Sequence, residues 1–371
     1  MPYTVGHPVQ NPSEFYGRQT QISHFFSNIT TSKAQSLHIL GLNQSGKTSF
    51  LRHVAHPSVT VRHLRHPEKI VMVYVDMSTC KTPAYFYYRV LMQLKMRLGQ
   101  VNTGFLWQES LPEKTNIYDV EVFLCHFSRR RIVLLLDQFD NLPTDTFGRD
   151  FLTELRAMVY VADYDLLLVT ASMIPLPDIG CRLGLPATSP FYTMFAAAPI
   201  CMGELDTAVV DTLISQSAIQ EGVPFSTHEV YTIKWLAGTL PYLLQVTAAR
   251  WLYYKRMGFL PEPEIILSQL IAELTPIFEE WWDTLDAESQ RLLGLMTTKY
   301  PDPAESYFVS QQKKEHQMRL LGLVVGRERH PVVNGAILET WVSQQFSQPD
   351  YTTNGTHEWQ TNQTLPMVAE L

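Results

Sequence analysis

The chain has 371 residues, 45% of them hydrophobic and 18% charged, and carries a net charge of −7. That length suffices for two or three modules with a large core, and the balance is globular rather than disordered or fibrous. The acidic total excludes a chain that coats nucleic acid over its whole surface, although it leaves room for local basic patches.

The opening stretch MPYTVGHPVQNPSEF has neither a basic nor an apolar segment of the secretory kind, so no leader is expected. No apolar run reaches about 18 residues, so no membrane span is expected. The cysteines Cys80, Cys125, Cys181 and Cys201 are scattered without a C-x-x-C pair. Reduced, buried thiols in a cytoplasmic protein are the expectation.

Residues 36–41, SLHILG, form a short apolar run that stops at a glycine. The stretch Gly41–Thr48, GLNQSGKT, then fits G-x-x-x-x-G-K-[S/T] at every fixed position, and KTSFLRHVA after it has helical character. The chemistry explains the spacing. Gly41 and Gly46 let the backbone curl, so that the N–H groups along Asn43, Gln44, Ser45 and on to Ser49 point inward at phosphates. The new helix adds its positive end. Lys47 would meet the β- and γ-phosphates, and the hydroxyl of Thr48 would hold Mg²⁺.

Past the P-loop, HVAHPSVTVRHLRHP places His53, His56, His63 and His66 in two H-x-x-H pairs. A zinc site is one outcome. The interleaved Arg52, Arg62 and Arg65 oppose a cation and favour a solvated basic loop, free to touch an acidic partner or nucleic acid. The valine-rich run 70–76, IVMVYVD, reads as a second strand, and 84–98 as a helix. Arg129, Arg130 and Arg131 precede a third run, 132–137, IVLLLD. As a charge run they solvate a loop, or one of them serves a neighbouring copy as an arginine finger. Asp137, at the end of that strand, is the natural second metal residue. Gln138 follows it where a water-activating glutamate is common; an amide can orient water but cannot take its proton. Residues 149–162 read as a helix in which Arg156 suits a surface salt bridge, and 165–171, DLLLVTA, as a fourth strand. Strands alternating with helices point to a parallel sheet covered on both faces.

From 206 to 275 the periods are helical only. Residues 276–345 read as helices followed by LLGLVVGRERHPVVNGAILETWV, in which two short apolar runs flank a charged turn, as in a small β-wing. This module holds ten Asp/Glu against seven Lys/Arg. Lys313, Lys314 and Arg319 would line a recognition helix, with Arg327 and Arg329 on a wing; the alternative is a protein-docking module with an ordinary charged face. Residues 346–371 are polar, lack Lys and Arg, and are expected to form a flexible tail.

Several stretches together resemble one group of ATPases. NPSEFYGRQTQI (11–22) is similar to a signature near the start of STAND and origin-recognition-type ATPases, within the wider AAA+ group. LLLVTAS (166–172) occupies the place of their sensor-1 strand, AGTLPYLLQ (237–245) is similar to the start of a lid helix, and TSPFYTMF (188–195) to a segment of prokaryotic STAND proteins. The resemblance covers roughly residues 11–345. It implies a P-loop core over 1–205 with a five-stranded parallel sheet, a helical lid over 206–275 and a winged helix over 276–345. It also implies ATP or ADP with Mg²⁺ as ligands; no guanine-specific N-K-x-D motif is present. By the same resemblance, Phe15, Tyr16, Gly17 and Arg18 would lie near the adenine and Pro241 would approach from the lid. Lys47, Asp137 and Gln138 would form the catalytic set, with Asp140 a stand-in for the missing glutamate.

This sequence departs from that pattern at Gln138, at Ser172-Met173 where related proteins often place an arginine, and at Thr239-Leu240 where Gly-His is usual. The departures point to retained binding and slow hydrolysis, hence to a nucleotide-dependent switch; the resemblance suggests a signalling or defence setting and implies a protein partner or a second copy. The rivals are a DNA-binding AAA+ ATPase, reading nucleic acid through the winged helix, and a scaffold that binds nucleotide for stability alone.

Overall fold

Strand β1 (Leu37–Leu40) is buried at every position, as a strand covered by helices on both faces must be. The computed structural model describes residues 3, 5–98, 111–127, 129–196, 198–259, 262–298, 309–327 and 330–346. It sets β1 in a five-stranded sheet with β2 (Ile70–Asp76), β3 (Arg131–Asp137), β4 (Asp165–Ser172) and β5 (Ile200–Cys201). The order is β2-β3-β4-β1-β5 and every ladder is parallel. The four apolar runs become four of the strands, each end within one residue of expectation. Two-residue β5 escaped the reading because it is too short to show a period.

The sheet's side chains alternate strictly between two cores. Along β3, Ile132, Leu134 and Leu136 join the core beneath α4 (Pro83–Leu98), α5 (Ile117–Leu124), α6 (Arg149–Val159) and α7 (Leu176–Arg182). Val133 and Leu135 face the other way, into the core shared with α1 (Gln19–Thr30), α2 (Lys47–Ala55) and α3 (Pro57–His63). Helix α3 corrects the expected basic loop. Pro57 starts it, and the His56 ring accepts a hydrogen bond from Ser58 N at 3.2 Å, so the local sequence caps a helix instead of breaking one.

Beyond β5 come α8 (Thr207–Gln220), α9 (Thr227–Ala237), α10 (Pro241–Arg256) and α11 (Pro263–Asp283), then α12 (Ala287–Leu295) and α13 (Val309–Leu321). The antiparallel hairpin of β6 (Val324–Arg327) and β7 (His330–Val333) and helix α14 (Ala336–Phe346) follow. Helix α11 runs through position 275, where the lid was expected to end. The reason is packing: one core takes in Leu244 and Trp251 of α10, Phe278 and Trp281 of α11, and Ile337 and Trp341 of α14. It reaches Leu40 and Leu42 at the phosphate loop. At about 1.5–3 kcal/mol for each large apolar side chain fully buried, this shared core binds the two helical regions into one body.

The two helical regions and the sheet domain meet at a junction of glycines. A Cβ on Gly238, whose φ is +67°, would lie 2.0 Å from Asn334 Oδ1. One on Gly203 would lie 2.5 Å from Leu320 O. Buried Asn334 fills the junction: its Oδ1 accepts from Thr239 N at 2.9 Å and its Nδ2 donates to Gly322 O at 2.7 Å. Thr239, one of the departures from the lid motif, therefore has a partner of its own here, since its hydroxyl also accepts from Asn334 Nδ2 at 3.0 Å. No helix among the described residues is long and apolar enough to cross a membrane. The expected tail beyond Phe346 lies outside the described residues.

Candidate nucleotide site

The strand order brings β4 between β1 and β3, so the loops after these three strands open onto one cleft at their carboxyl ends, where open α/β sheets bind ligands. The cleft holds about 300 Å³, at the lower end of small-molecule pockets. Its floor is the loop Gly41–Gly46. A Cβ on Gly41 would lie 2.6 Å from Ser45 Oγ and 2.9 Å from Met202 Cβ, so only glycine fits there. Gly46 turns at φ +94° to start α2. The backbone N–H groups of Gly46, Lys47, Thr48 and Ser49 have no backbone acceptor among the described residues, and Ser45 Oγ is buried without a partner. Four free N–H groups at a helix start form an anion cradle.

Lys47 lies over this cradle. Its Nζ donates to Gly41 O and Leu42 O, both at 2.8 Å. Burial pushes its ammonium down to about 8, against the opposing pull of Asp140, Asp137 and Glu280. Ser49 has another task, because its hydroxyl accepts from Val9 N at 3.0 Å and ties down the N-terminal stretch.

Asp137 is fully buried. Its Oδ2 accepts from the Tyr74 hydroxyl at 2.8 Å, and its Oδ1 from Gln138 N at 3.0 Å. Burial, then the Asp137 charge, raise the Tyr74 hydroxyl well above its usual range, so it remains a donor. Each carboxylate oxygen keeps a lone pair, which suits a water of a Mg²⁺ shell. Gln138 sits in the left-handed region at φ 54° and accepts from Asn141 Nδ2 at 2.9 Å. Asp140 lines the same cleft. Its Oδ2 accepts from Met173 N at 2.7 Å, tying this turn to the end of β4.

Below the loop lies a buried polar cluster centred on His38, which the sequence reading missed. His38 is 6% exposed, within the apolar run of β1. Its Nδ1 is 2.9 Å from Thr170 Oγ1 and its Nε2 is 3.3 Å from Ser172 Oγ, which donates to Ile174 O at 2.7 Å. Ser172 spends its proton on Ile174, so the bonding pattern assigns the imidazole proton to Nε2 and makes Nδ1 the acceptor. Burial pushes this histidine from 6.5 down to about 4. As pH falls through that window the unfolded chain takes up a proton that the folded chain refuses, so stability is lost on acidification. The drop attributable to His38 is about 3 kcal/mol. Urea unfolding at neutral pH and near pH 4 should show wild type losing more than His38→Asn by about that amount; parallel losses in the two proteins would count against the assignment.

Of the residues that the resemblance places near the base, Phe15, Tyr16, Arg18 and Pro241 all line the cleft. Phe15 stacks on His53 with centroids 4.3 Å apart, and Tyr16 packs against the helical body. Pro241 opens α10. Arg18 is also bonded within the protein. Its guanidinium donates to Gly203 O at 2.6 Å, Glu204 O at 2.9 Å and Ser45 O at 3.5 Å, bolting the N-terminal turn to the phosphate loop and the interdomain junction. Burial lowers it to about 10, still charged at neutral pH. Gly17, at φ +74°, packs so close to α8 that a Cβ would lie 2.8 Å from Val209 Cγ1.

Sequence reasoning also missed Glu280 and Trp281 of α11, which reach the phosphate loop. Asn43 Nδ2 donates to Glu280 Oε2 at 2.8 Å, and Trp281 Nε1 donates to Asn43 O at 3.2 Å. No periodicity could join positions so far apart in the chain.

The remaining candidates resolve into separate roles. The four histidines do not converge: His53 and His63 stack on Phe15 and Phe26, His56 caps α3, and His66 lies 3.3 Å from Glu68. No cluster of metal-ligating side chains occurs among the described residues. Arg156 lies over the Tyr160 ring at 4.9 Å instead of in the expected salt bridge. Phe191, in the TSPFYTMF stretch, is core. Cys125 and Cys181 are exposed, against the expectation of buried thiols, while Cys80 is buried; all four are free. On α13, Lys314 pairs with Asp286, and Arg319 with Glu315 and Gly326 O. The side chain of Arg327 and all of Arg329 lie outside the described residues.

Neither protein-family models nor curated proteins yield a match to the chain. Solved structures do. A Walker-type ATPase of Pyrococcus abyssi superposes with a TM-score of 0.62 at 13% identity, over 92% of this chain and 99% of that one. The fold is that of a P-loop NTPase core. More distant are the Aeropyrum pernix ORC1 protein in complex with DNA (TM-score 0.46, 14% identity, 89% of this chain and 93% of that one) and Cdc6p from Pyrobaculum aerophilum (0.43, 12%, 92% and 98%). At these scores neither bears on the function of this chain.

Proposed function

We propose that this chain is an ATP- and Mg²⁺-dependent switch with slow hydrolysis, of the STAND or origin-recognition type, working through a protein partner or a second copy. The cradle of free N–H groups, Lys47 above it and buried Asp137 opposite fit a magnesium nucleotide. Thr48 and Asp137 would hold the metal. When bound, Mg²⁺ would neutralise charge on the phosphates. Phe15, Tyr16 and Pro241 would enclose the base.

The contact of Asn43 with Glu280 and Trp281 carries the switch reading. It is a direct bond between the phosphate loop and the helical body. Glu280 lines the cleft and acts electrostatically on Lys47. A γ-phosphate brings negative charge to the rim where this carboxylate rests, and like charges repel. ADP leaves the contact less disturbed. Nucleotide state would thus bias the position of α11, and with it the winged-helix-like region formed by α12 to α14. A DNA-reading role for α13 is less favoured, because Lys314 and Arg319 already spend their charges within the fold.

Glu280→Gln keeps an acceptor for Asn43 but removes the charge. Calorimetric titration should show its affinity for ATP·Mg²⁺, relative to ADP·Mg²⁺, rising by about fivefold or more over wild type, the scale of a modest coupling free energy. In wild type, Trp281 fluorescence should differ between the two nucleotides. An unmoved affinity ratio together with identical fluorescence would remove the switch and leave a nucleotide-stabilised scaffold.

A further inference from the structure

Two basic stretches meet in space away from the nucleotide site. The His/Arg-rich segment contributes Arg65, the turn just after it Lys69, and the run before β3 Arg129 and Arg130, to one cleft of about 530 Å³. It opens at the amino ends of β2 and β3. Strand β3 has seven residues, so Arg131 lies roughly 20 Å along the strand from Asp137. None of these arginines serves the nucleotide site of its own chain.

The cleft is built. Arg131 forms its rigid floor: Nε donates to Asp165 Oδ2 at 2.8 Å, and one guanidinium nitrogen donates to Ile29 O and Thr31 O, each at 2.7 Å. Among the described residues, the one carboxylate that lines the cleft, Asp165, is therefore committed to Arg131, while Glu68 lies outside the lining beside His66. Arg65, Lys69, Arg129 and Arg130 have no ion-pair partner among the described residues. In a chain of net charge −7, four unneutralised cations around one cavity form a segregated positive patch. Such a patch attracts a polyanion.

We propose that this cleft binds the sugar–phosphate backbone of nucleic acid, without reading its sequence. Three observations favour that occupant over an acidic protein. Arginines supply most of the charge, and their fork matches phosphate oxygens in pairs. Ser32 lines the same cleft with its hydroxyl uncommitted among the described residues, while those of Thr30 and Thr31 already donate to carbonyls of α1, and such hydroxyls are common phosphate contacts. None of the exposed large apolar side chains borders the cleft, so it lacks the apolar anchors on which protein interfaces depend. Among the described residues no Phe, Tyr or Trp lines the cleft, so it offers no large stacking platform for bases, which favours contacts to the backbone.

Fluorescence anisotropy with the full chain and two labelled duplexes of unrelated sequence tests this. Wild type should bind both equally, with affinity falling steeply between about 50 and 200 mM salt. The double substitution Arg129→Ala with Arg130→Ala should weaken binding at least tenfold and flatten the log–log salt slope by about two. Arg65→Ala with Lys69→Ala, from the other stretch, should do the same. The thermal shift with ATP·Mg²⁺ should remain intact in both variants, which separates this cleft from the nucleotide site and from the switch proposed for it. No duplex binding by wild type, unchanged binding in either pair of substitutions, or displacement of the duplex by polyglutamate as effective as by unlabelled duplex would overturn the proposal.

Discussion

Gln138→Glu should accelerate single-turnover hydrolysis of ATP·Mg²⁺ by about 10²-fold or more, within the roughly 10²–10⁴-fold contribution of a general base. The backbone is already set for it. Residue 138 turns at φ 54° immediately after Asp137, a conformation that costs glutamate and glutamine alike, so the exchange adds no strain. Its side chain accepts from Asn141, and a carboxylate oxygen can accept the same bond while the other meets water. The amide of the natural residue can hold a water but cannot take its proton. Asp140 is the competing base. It lines the cleft, but its Oδ2 is engaged by Met173 N at 2.7 Å, which holds it as a strut between the turn and β4. If Gln138→Glu leaves the rate alone while Asp140→Asn abolishes it, the strut is the base and Gln138 is a bystander.

How much of this could be read from the chain depended on how local each cause was. β3 was legible because Ile132 through Asp137 combine unbroken burial with a carboxylate at the end. The phosphate loop was legible because glycine is forced at Gly41 by the approach of Ser45 and Met202, and at Gly46 by a positive φ. Helix α3 was hidden, since the basic side chains that suggested a loop obscured the His56-Pro57 start. Arg18 was placed beside the cleft that it lines, but its bonds to carbonyls were not foreseen. Its left-handed turn at φ 62° sends the guanidinium inward to carbonyls at Gly203 and Glu204, and only the folded chain brings those close. The meeting of Glu280 with Asn43, and of Arg65 with Arg129, has no local sequence signal at all. Both are made by the order in which strands and helices stack.

Lys47→Ala should weaken ATP·Mg²⁺ binding by at least about 10²-fold, as expected for loss of a charge-assisted contact in a buried site. Wild type saturated at one hundred times its dissociation constant gains about 2.7 kcal/mol of apparent stability, and the variant at the same concentration should gain almost none. The unliganded protein should behave differently. There Lys47 is bonded to Gly41 O and Leu42 O, yet burial depresses it to about 8, so the fold holds this charge at a cost. Removing the ammonium lifts that cost and leaves two carbonyls that water in the open cleft can reach. Urea unfolding without nucleotide should therefore find Lys47→Ala no less stable than wild type at neutral pH. A variant that binds nucleotide normally would remove the loop from the site. One that loses binding only because its unliganded fold collapses would make Lys47 a structural residue. Weak binding with an intact fold is the outcome that identifies a half-buried lysine kept charged for a phosphate.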